Sequence, residues 1–162
     1  MIPTPVTTAP PPLVVVQGPA TYTDSRYGHS FNIPAGFFVQ SEPQGGYGSV
    51  TNYDPRGITG FGDVREDAMK VEVVVIAEVK ERSVDEWLTA HSDDDVLSTA
   101  PFVLDGISGV QRIVASSWGI EGTGIGYAVK RGNEIYLVAV HYAYSGQVST
   151  VSEMLGSFRF GQ

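Results

Sequence analysis

The segment from Met69 to Lys80 constrains the fold more than any other part of the chain. Its odd-numbered residues are all apolar, whereas its even-numbered residues are charged near both ends and apolar at Val74 and Ile76. Alternation with a period of two indicates a β-strand, and apolar residues on both faces indicate a strand that is covered on both sides. We therefore expect a sheet with this strand near its centre and other elements against its faces.

A helix is predicted directly after this strand. Ser83 and Glu86 have the spacing of a capping box, in which each side chain satisfies exposed backbone amides of the first turn. The residues that follow at helical spacing form one apolar face directed at the sheet: Val84, Trp87, Leu88 and His91.

The remaining elements complete an α+β fold. A strand from Tyr27 to Ile33 is predicted to form a hairpin with residues 37–40, and residues 56–67 have the composition of a glycine-rich loop. Further strands are predicted at residues 49–53, 109–118, 124–131 and 134–144, the last two joined by the tight turn Arg131-Gly132-Asn133. A final helix over residues 147–156, with Ser145 as its N-cap, directs one apolar face inward: Val148, Val151, Leu155 and Phe158. This order predicts an antiparallel sheet flanked by helices on both faces.

Residues 1–23 differ in composition from the rest and predict an extended arm. Proline fixes φ and removes a backbone donor, so a proline-rich stretch favours polyproline II over packed structure. The prolines concerned are Pro3, Pro5, Pro10, Pro11, Pro12 and Pro19. The stretch from Leu13 to Val16 is too apolar for an idle linker, and we expect it to dock as an edge strand on its own sheet or on a partner. The folded domain is predicted to occupy residues 24–162.

The composition excludes several classes of protein. Eighteen acidic against ten basic residues give a net charge of −8, which disfavours nucleic acid and anionic lipid as partners. There is no cysteine, so disulfides, thiolate metal sites and a cysteine nucleophile are excluded. The start Met1-Ile2-Pro3 has no signal-peptide pattern, so the chain is either cytosolic or has lost a leader.

A cation site is the first candidate for chemistry. An imidazole and several carboxylates follow the predicted helix: His91, Asp93, Asp94 and Asp95, with Asp105 nearby in sequence. Clustered oxygens suit calcium or manganese, but consecutive acidic residues do not converge as alternating loop ligands do. A solvated acidic loop is the competing interpretation, and we assign no metal ligand and no cofactor.

Hydrolysis and nucleotide binding have weaker support. A catalytic triad would have to use His29, His91 or His141, the only three histidines in the chain. His29 and His141 lie in predicted strands, where packed histidines are the rule, and Ser116 and Ser117 lie mid-strand without a nucleophile elbow. The glycine-rich residues 119–126 connect two strands and open no helix, so they predict a hairpin loop and no phosphate site. We therefore expect no enzyme.

An aromatic face is the last candidate. Tyr136, Tyr142 and Tyr144 fall on the same face of the strand predicted at residues 134–144. A helix over this face would make the tyrosines part of the core, whereas an open face would make them a recognition patch. We expect the strand centre to be core and Tyr144, at the strand end, to form an exposed rim.

Four short sequence motifs, which follow one another along about residues 25–161, resemble motifs of PsbP-like domains. The opening is Tyr27-Gly28-His29-Ser30-Phe31-Asn32-Ile33-Pro34-Ala35-Gly36-Phe37, where His29 replaces the aromatic residue usual in the family. The others are Ser83-Val84-Asp85-Glu86-Trp87-Leu88, Leu104-Asp105-Gly106-Ile107-Ser108-Gly109 and Met154-Leu155-Gly156-Ser157-Phe158-Arg159-Phe160. The family includes the extrinsic luminal subunit of photosystem II and many exported bacterial lipoproteins.

The resemblance implies an α/β/α sandwich and a non-enzymatic role in supporting the assembly of a complex. It also implies export and a flexible N-terminal tail, which agrees with the composition of residues 1–23. We therefore expect an extracytoplasmic, membrane-tethered accessory or scaffold subunit that docks on a membrane-associated protein complex. The alternative is a module that binds a small ligand or a divalent cation. The basic character of the plant luminal subunit is missing, so docking by the same charge pairing is not expected.

Overall fold

The structure, a computed structural model, describes residues 12–56, 58, 67–91, 95–115, 123–142 and 147–162. The strands are β1 (Leu13–Val15), β2 (Ala20–Thr23), β3 (Ser30–Ile33), β4 (Phe38–Ser41), β5 (Tyr47–Thr51), β6 (Met69–Ile76), β7 (Val96–Leu104), β8 (Ile107–Ala115), β9 (Thr123–Arg131) and β10 (Glu134–Tyr142). The helices are α1 (Val84–His91) and α2 (Val148–Gly156). The predictions for residues 1–11, most of 56–67, Ser116 and Ser117, and Ser145 lie outside the described residues. No helix among those described is long and apolar enough to cross a membrane.

Eight strands form one antiparallel sheet in the order β1-β4-β5-β6-β10-β9-β8-β7. The predicted inner strand is confirmed for Met69–Ile76, because β6 lies inside this sheet between β5 and β10, whereas residues 77–80 lie beyond its end. The hairpin at Arg131-Gly132-Asn133 is also confirmed. Arg131 pairs with Glu134, and Gly132 adopts a φ of 59°, which glycine tolerates without strain.

Two apolar clusters contain the buried side chains of the sheet, and one helix contributes residues to each cluster. Val84 and Leu88 of α1 pack with Ala128 and Ile135 in the smaller cluster. Val151 and Met154 of α2 belong to the larger cluster, together with the odd-numbered residues of β6 and with Tyr136, Val138 and Val140 of β10. An antiparallel sheet with two helices is thus confirmed. The α/β/α sandwich remains a prediction, because α1 spans 8 residues and leaves part of its face open.

The capping box of α1 forms as predicted, with one difference in the reciprocal bond. The backbone N–H of Glu86 donates to Ser83 Oγ at 3.1 Å, whereas the Glu86 carboxylate accepts from the N–H of Arg82 at 2.7 Å instead of from Ser83. In α2 the inward face differs from the prediction. Val148 is exposed, while Met154 is buried beside Val151 and Phe158.

Part of the predicted arm belongs to the folded domain. β1 pairs with β4, and the N–H of Val16 donates to the carbonyl of Phe37 at 2.8 Å. Val16 and Tyr22 are both buried. The expectation that the stretch from Leu13 to Val16 docks as an edge strand is met on its own sheet. The folded part therefore begins before residue 24, and the extended arm remains a prediction for residues 1–11.

The predicted hairpin between residues 27–33 and 37–40 is wrong. β3 pairs with β2 in a separate two-stranded sheet, whereas β4 pairs with β1 and β5. The turn after Ile33 was compatible with a hairpin, but β3 is bound instead to the end of the chain. Ser30 and Arg159 exchange two backbone hydrogen bonds of 2.8 Å.

Asp24 joins the start of this region to the turn before β5. Its carboxylate is buried and accepts the N–H groups of Arg26 at 2.9 Å, Tyr27 at 2.7 Å and Gly46 at 2.7 Å. Burial raises the pKa of Asp24, but the three amide hydrogen bonds together lower it by more. The pKa of Asp24 is therefore below its ordinary value. The residue thus acts as a structural clamp between two loops.

Candidate binding surfaces

A cleft lies beside α1, above residues of β8, β9 and β10. Its volume is about 370 Å³. The floor consists of small residues at alternating positions of neighbouring strands: Gly124, Gly126, Ala128 and Ala139. A Cβ added at Gly126 would meet no heavy atom within 4 Å, so the missing side chain at this position opens the cleft directly. Trp87, Leu88 and His91 of α1 form one wall.

Two polar side chains flank this floor without satisfying all their hydrogen bonds. Arg112 of β8 lies opposite Gly126, and its Nη1 is buried without a hydrogen-bond partner among the described residues. His141 of β10 stands on the far side of β9, and its buried Nδ1 is also without such a partner. Each buried polar group without a partner costs about 1–3 kcal/mol, and more when the group is charged. The cleft therefore combines an apolar lining with two groups that lack partners.

Glu72 anchors the other nitrogen of His141. His141 Nε2 lies 3.5 Å from Glu72 Oε2, Lys70 Nζ lies 2.7 Å from Oε1, and the Tyr47 hydroxyl donates to Oε1 at 2.8 Å. The hydrogen bond with His141 has the largest effect and, with those from Lys70 and Tyr47, lowers the pKa of Glu72 to about 2 against the opposing effect of burial. This carboxylate is already paired and does not neutralise Arg112.

His91 lies in the same cleft, but the acidic residues predicted beside it do not build a described cation site. Its Nδ1 lies 3.0 Å from the carbonyl of Trp87, so Nδ1 carries the proton, and its ring stacks on Trp87 with centroids 5.0 Å apart. Asp93 and Asp94 lie outside the described residues, and Asp95 is exposed. Asp105 lies elsewhere, accepting the N–H of Phe160 at 2.9 Å. Within the described part of the chain, no three His, Cys, Asp or Glu residues could hold a metal. Cation binding remains a hypothesis.

His29 is a packed core residue, as predicted, although it lies directly before β3 and not within a strand. It is fully buried, its ring stacks on Phe158 with centroids 5.5 Å apart, and it meets Tyr136 edge to face at 5.6 Å. Neither ring nitrogen has a hydrogen-bond partner among the described residues. Burial lowers the pKa of His29, partly opposed by the charge of Asp24. His29 therefore cannot reach a substrate in the cleft.

The tyrosine face of β10 is core where the structure describes it. Tyr136 is fully buried, and its hydroxyl donates to Glu134 at 2.9 Å. Burial and this carboxylate raise the pKa of Tyr136 to about 12. The side chain of Tyr142, and Tyr144 as a whole, lie outside the described residues, so the exposed rim stays a prediction.

Arg112 was not singled out from the sequence, although two signals were present. It is the one charged residue of β8, and Gly124 and Gly126 of β9 alternate on one face. Both glycines fell at the start of the strand predicted at residues 124–131 and also at the end of the glycine-rich stretch 119–126, and they lie within β9. The strand register is what aligns Arg112 with Gly126 and thereby defines the cleft.

The two outer strands of the sheet form a second surface. Five large apolar side chains of the described residues are exposed, and four of them lie on β1 or β7: Val14, Val15, Leu97 and Val103. Leu97 falls at a register shift between Val96 and Ser98, and the exposed fractions of Leu97 and Val103 are 56% and 60%. β7 contains no charged residue. Both edges therefore expose aliphatic side chains beside unpaired backbone groups.

Several solved structures have a similar fold, and three of them show how far the similarity extends. The fold matches the cyanobacterial PsbP protein CyanoP of Synechocystis sp. with a TM-score of 0.54 and 11% identity, covering 91% of this chain and 95% of that one. It matches a Bacteroides thetaiotaomicron protein with a TM-score of 0.54 and 14% identity over 91% of this chain, which spans only 50% of that protein. It also matches the Ran-binding protein Mog1p of Saccharomyces cerevisiae, with a TM-score of 0.52 and 13% identity, covering 88% of this chain and 95% of that one.

These similarities establish a PsbP-like fold, which Mog1p shares. The resemblance to PsbP-like domains inferred from the four sequence motifs is thus confirmed at the level of the fold. No protein-family model matches the chain, and no curated protein matches it.

Proposed function

We propose that the chain is a non-enzymatic accessory domain that binds a protein partner along the outer edge of β7. The observation that carries this proposal is the concentration of exposed aliphatic side chains on the outer strands, with Leu97 and Val103 on β7. An edge strand offers unpaired N–H and C=O groups, to which an extended segment of another protein adds by main-chain hydrogen bonds.

The composition of β7 supports this choice of edge. Natural edge strands are commonly protected from pairing by charged residues, and β7 has none over 9 residues. Its protective features are Pro101, because proline removes a single backbone donor, and the register shift at Leu97, which interrupts regular pairing. A partner strand therefore has two stretches available for pairing, one on each side of Pro101. The chain's net charge of −8 favours a neutral or basic partner segment.

The fold similarities support a binding role of this kind. Mog1p is by name a Ran-binding protein, and CyanoP is a cyanobacterial PsbP. The likeness to CyanoP, together with the sequence resemblance, supports the more specific proposal of an extracytoplasmic subunit tethered at a membrane-associated complex. The described residues that line the cleft include no serine, threonine, cysteine or lysine, which is consistent with a binding role and offers no support for covalent catalysis.

The proposal is tested by co-purification of the tagged full chain from its source organism. We compare the wild type with the double variant Leu97→Lys/Val103→Lys and with the control Val148→Lys, whose side chain is 48% exposed on α2. Two buried lysine charges at an interface disrupt it, whereas lysine at exposed positions leaves folding within about 0.5 kcal/mol. The proposal predicts that a specific partner is lost only from the double variant. Identical sets of partners for all three proteins would contradict it.

A test of the predicted N-terminal arm requires a deletion shorter than residues 1–23. Removal of residues 1–23 would also remove β1 and β2, including buried Val16 and Tyr22, and would destabilise the domain. Removal of residues 1–11 alone tests the arm. If the arm contributes to docking, this deletion lowers co-purification while the melting temperature stays near that of the wild type.

A further inference from the structure

We propose that the cleft beside α1 binds a small molecule with a carboxylate on an apolar body, and that Arg112 receives the carboxylate. This site is separate from the edge of β7 and does not depend on the proposed protein partner. It rests on the shape of the cleft, the chemistry of its lining and the unpaired nitrogen of Arg112.

The shape follows from the strand register. Gly126 lies between Arg112 on β8 and Ala139 on β10, so one row across the sheet has a long side chain beside two positions with almost none. A sheet face under a helix is normally filled by branched side chains, and here nothing lies within 4 Å of a Cβ placed at Gly126. The resulting space of about 370 Å³ falls in the range of sites that hold small molecules.

The lining selects an apolar ligand body. Leu88 of α1, Val114 of β8 and Leu137 of β10 face the space, and Trp87 closes one side. Apolar walls with few polar groups are typical of ligand pockets, in which the polar groups fix orientation. A highly charged ligand such as a nucleotide does not suit these walls, because Arg112 is the one permanently charged side chain among the described lining residues.

The unpaired guanidinium nitrogen of Arg112 favours a ligand that carries a carboxylate. Arginine remains protonated at all relevant pH values, and its planar fork matches the two oxygens of a carboxylate. Nη1 of Arg112 is buried without a hydrogen-bond partner, and the carboxylate of Glu72 is held by Lys70 and Tyr47. A ligand carboxylate would satisfy this donor. The buried Nδ1 of His141 offers one further hydrogen bond at the opposite side of the floor.

The experiment titrates the full chain with two carboxylates and their neutral amides: decanoate and decanamide, and phenylpropionate and phenylpropionamide. Calorimetry measures affinity, and amide chemical shifts of Gly124 and Gly126 report the location. We expect at least one acid to bind and to shift these amides, with its amide binding at least about tenfold more weakly because the charge-assisted hydrogen bond is lost. Decanoate and phenylpropionate distinguish an aliphatic from an aromatic body.

Three variants test the residues. Arg112→Gln should weaken binding of the acid by about tenfold to a hundredfold. Gly126→Leu fills the cleft and should abolish binding of acid and amide alike. The control Arg82→Gln removes an exposed arginine outside the cleft and should bind like the wild type. Absence of binding by both acids at millimolar concentration overturns the proposal. Equal affinity for acid and amide, or unchanged binding in folded Arg112→Gln and Gly126→Leu, also overturns it.

Discussion

Replacement of His29 by phenylalanine should stabilise the protein. His29 is fully buried among Tyr22, Tyr136 and Phe158, and both of its ring nitrogens lack hydrogen-bond partners among the described residues. The first sequence motif of PsbP-like domains has an aromatic residue at this position, and the structure gives the physical reason for that preference. The site is an aromatic cluster that supplies no hydrogen bond to an imidazole.

The expected size of the effect follows from two opposing contributions. An unsatisfied buried polar group costs about 1–3 kcal/mol, and an apolar ring of similar shape removes that cost. The larger phenyl ring must fit a closed core, which offsets part of the gain. We expect His29→Phe to raise the free energy of unfolding by about 1–2 kcal/mol, which for a domain of this size is a rise in melting temperature of about 2–8 °C.

The pH dependence provides a second and independent readout. Burial lowers the pKa of His29, so below the unfolded-state value of 6.5 the unfolded chain binds more protons at this residue than the native chain. The wild type therefore has its full stability above that pH and loses it as the pH falls toward the native pKa. His29→Phe lacks this loss, so its advantage should grow by up to about 1.4 kcal/mol per pH unit below about pH 6.5.

Urea unfolding at several pH values between neutral and mildly acidic measures both effects. His91→Phe is the matched control, because His91 is exposed and the same substitution there should change stability by less than about 0.5 kcal/mol. The reasoning fails if His29→Phe is less stable than the wild type near neutral pH. It also fails if the difference between the two proteins does not change as the pH falls.

Three further substitutions test the supports of the fold by urea unfolding. Asp24→Asn should cost about 1.5–3 kcal/mol, because one carboxylate accepts three buried amide hydrogen bonds, and an unchanged midpoint would contradict the clamp. Ser83→Ala should cost about 0.5–2 kcal/mol through loss of the cap to Glu86, with Ser83→Thr as a milder control. Gly109→Ala should cost about 1–3 kcal/mol, because the added Cβ overlaps the carbonyl of Ala128 in the neighbouring strand, and a neutral effect would refute that close contact.

The sequence predicted the elements whose signals are local. The alternation of β6, the turn at residues 131–133 and the Ser83–Glu86 cap each depend on residues close together in the chain, and all three are present. Pairings between distant segments were not predictable in this way. β3 pairs with β2 and with Arg159 near the end of the chain, and nothing in residues 27–40 specifies either partner.

β2 and β7 were missed because their compositions suppress strand signals, whereas β1 was predicted from the apolar stretch Leu13 to Val16. β1 and β2 lie within or beside a proline-rich stretch, and β7 contains Pro101 and a run of small or polar residues that are exposed. β1 and β7 are the outer strands of the sheet, and proline within a strand is tolerated at such edges. The proline that weakens the strand signal of β7 is therefore a feature that sheet edges tolerate.

The sequence indicated only some of the residues that line the candidate cleft. His91 and His141 were both marked as candidate residues, and both line the cleft, whereas Arg112 was not marked at all. The cleft arises where small residues of β9 and β10 lie under a helix of 8 residues. That coincidence depends on strand register and helix placement, which the sequence alone does not specify.

Site-specific photo-crosslinking tests most directly the claim that this domain binds a protein along β7. A photoreactive amino acid is placed at position 97 in the full chain, and the protein is irradiated in cells of its source organism. A matched protein carries the same amino acid at position 148, which is also exposed but lies on α2. We predict one discrete crosslinked partner from position 97 and none from position 148. No discrete product from position 97, or the same products from both positions, would contradict the account.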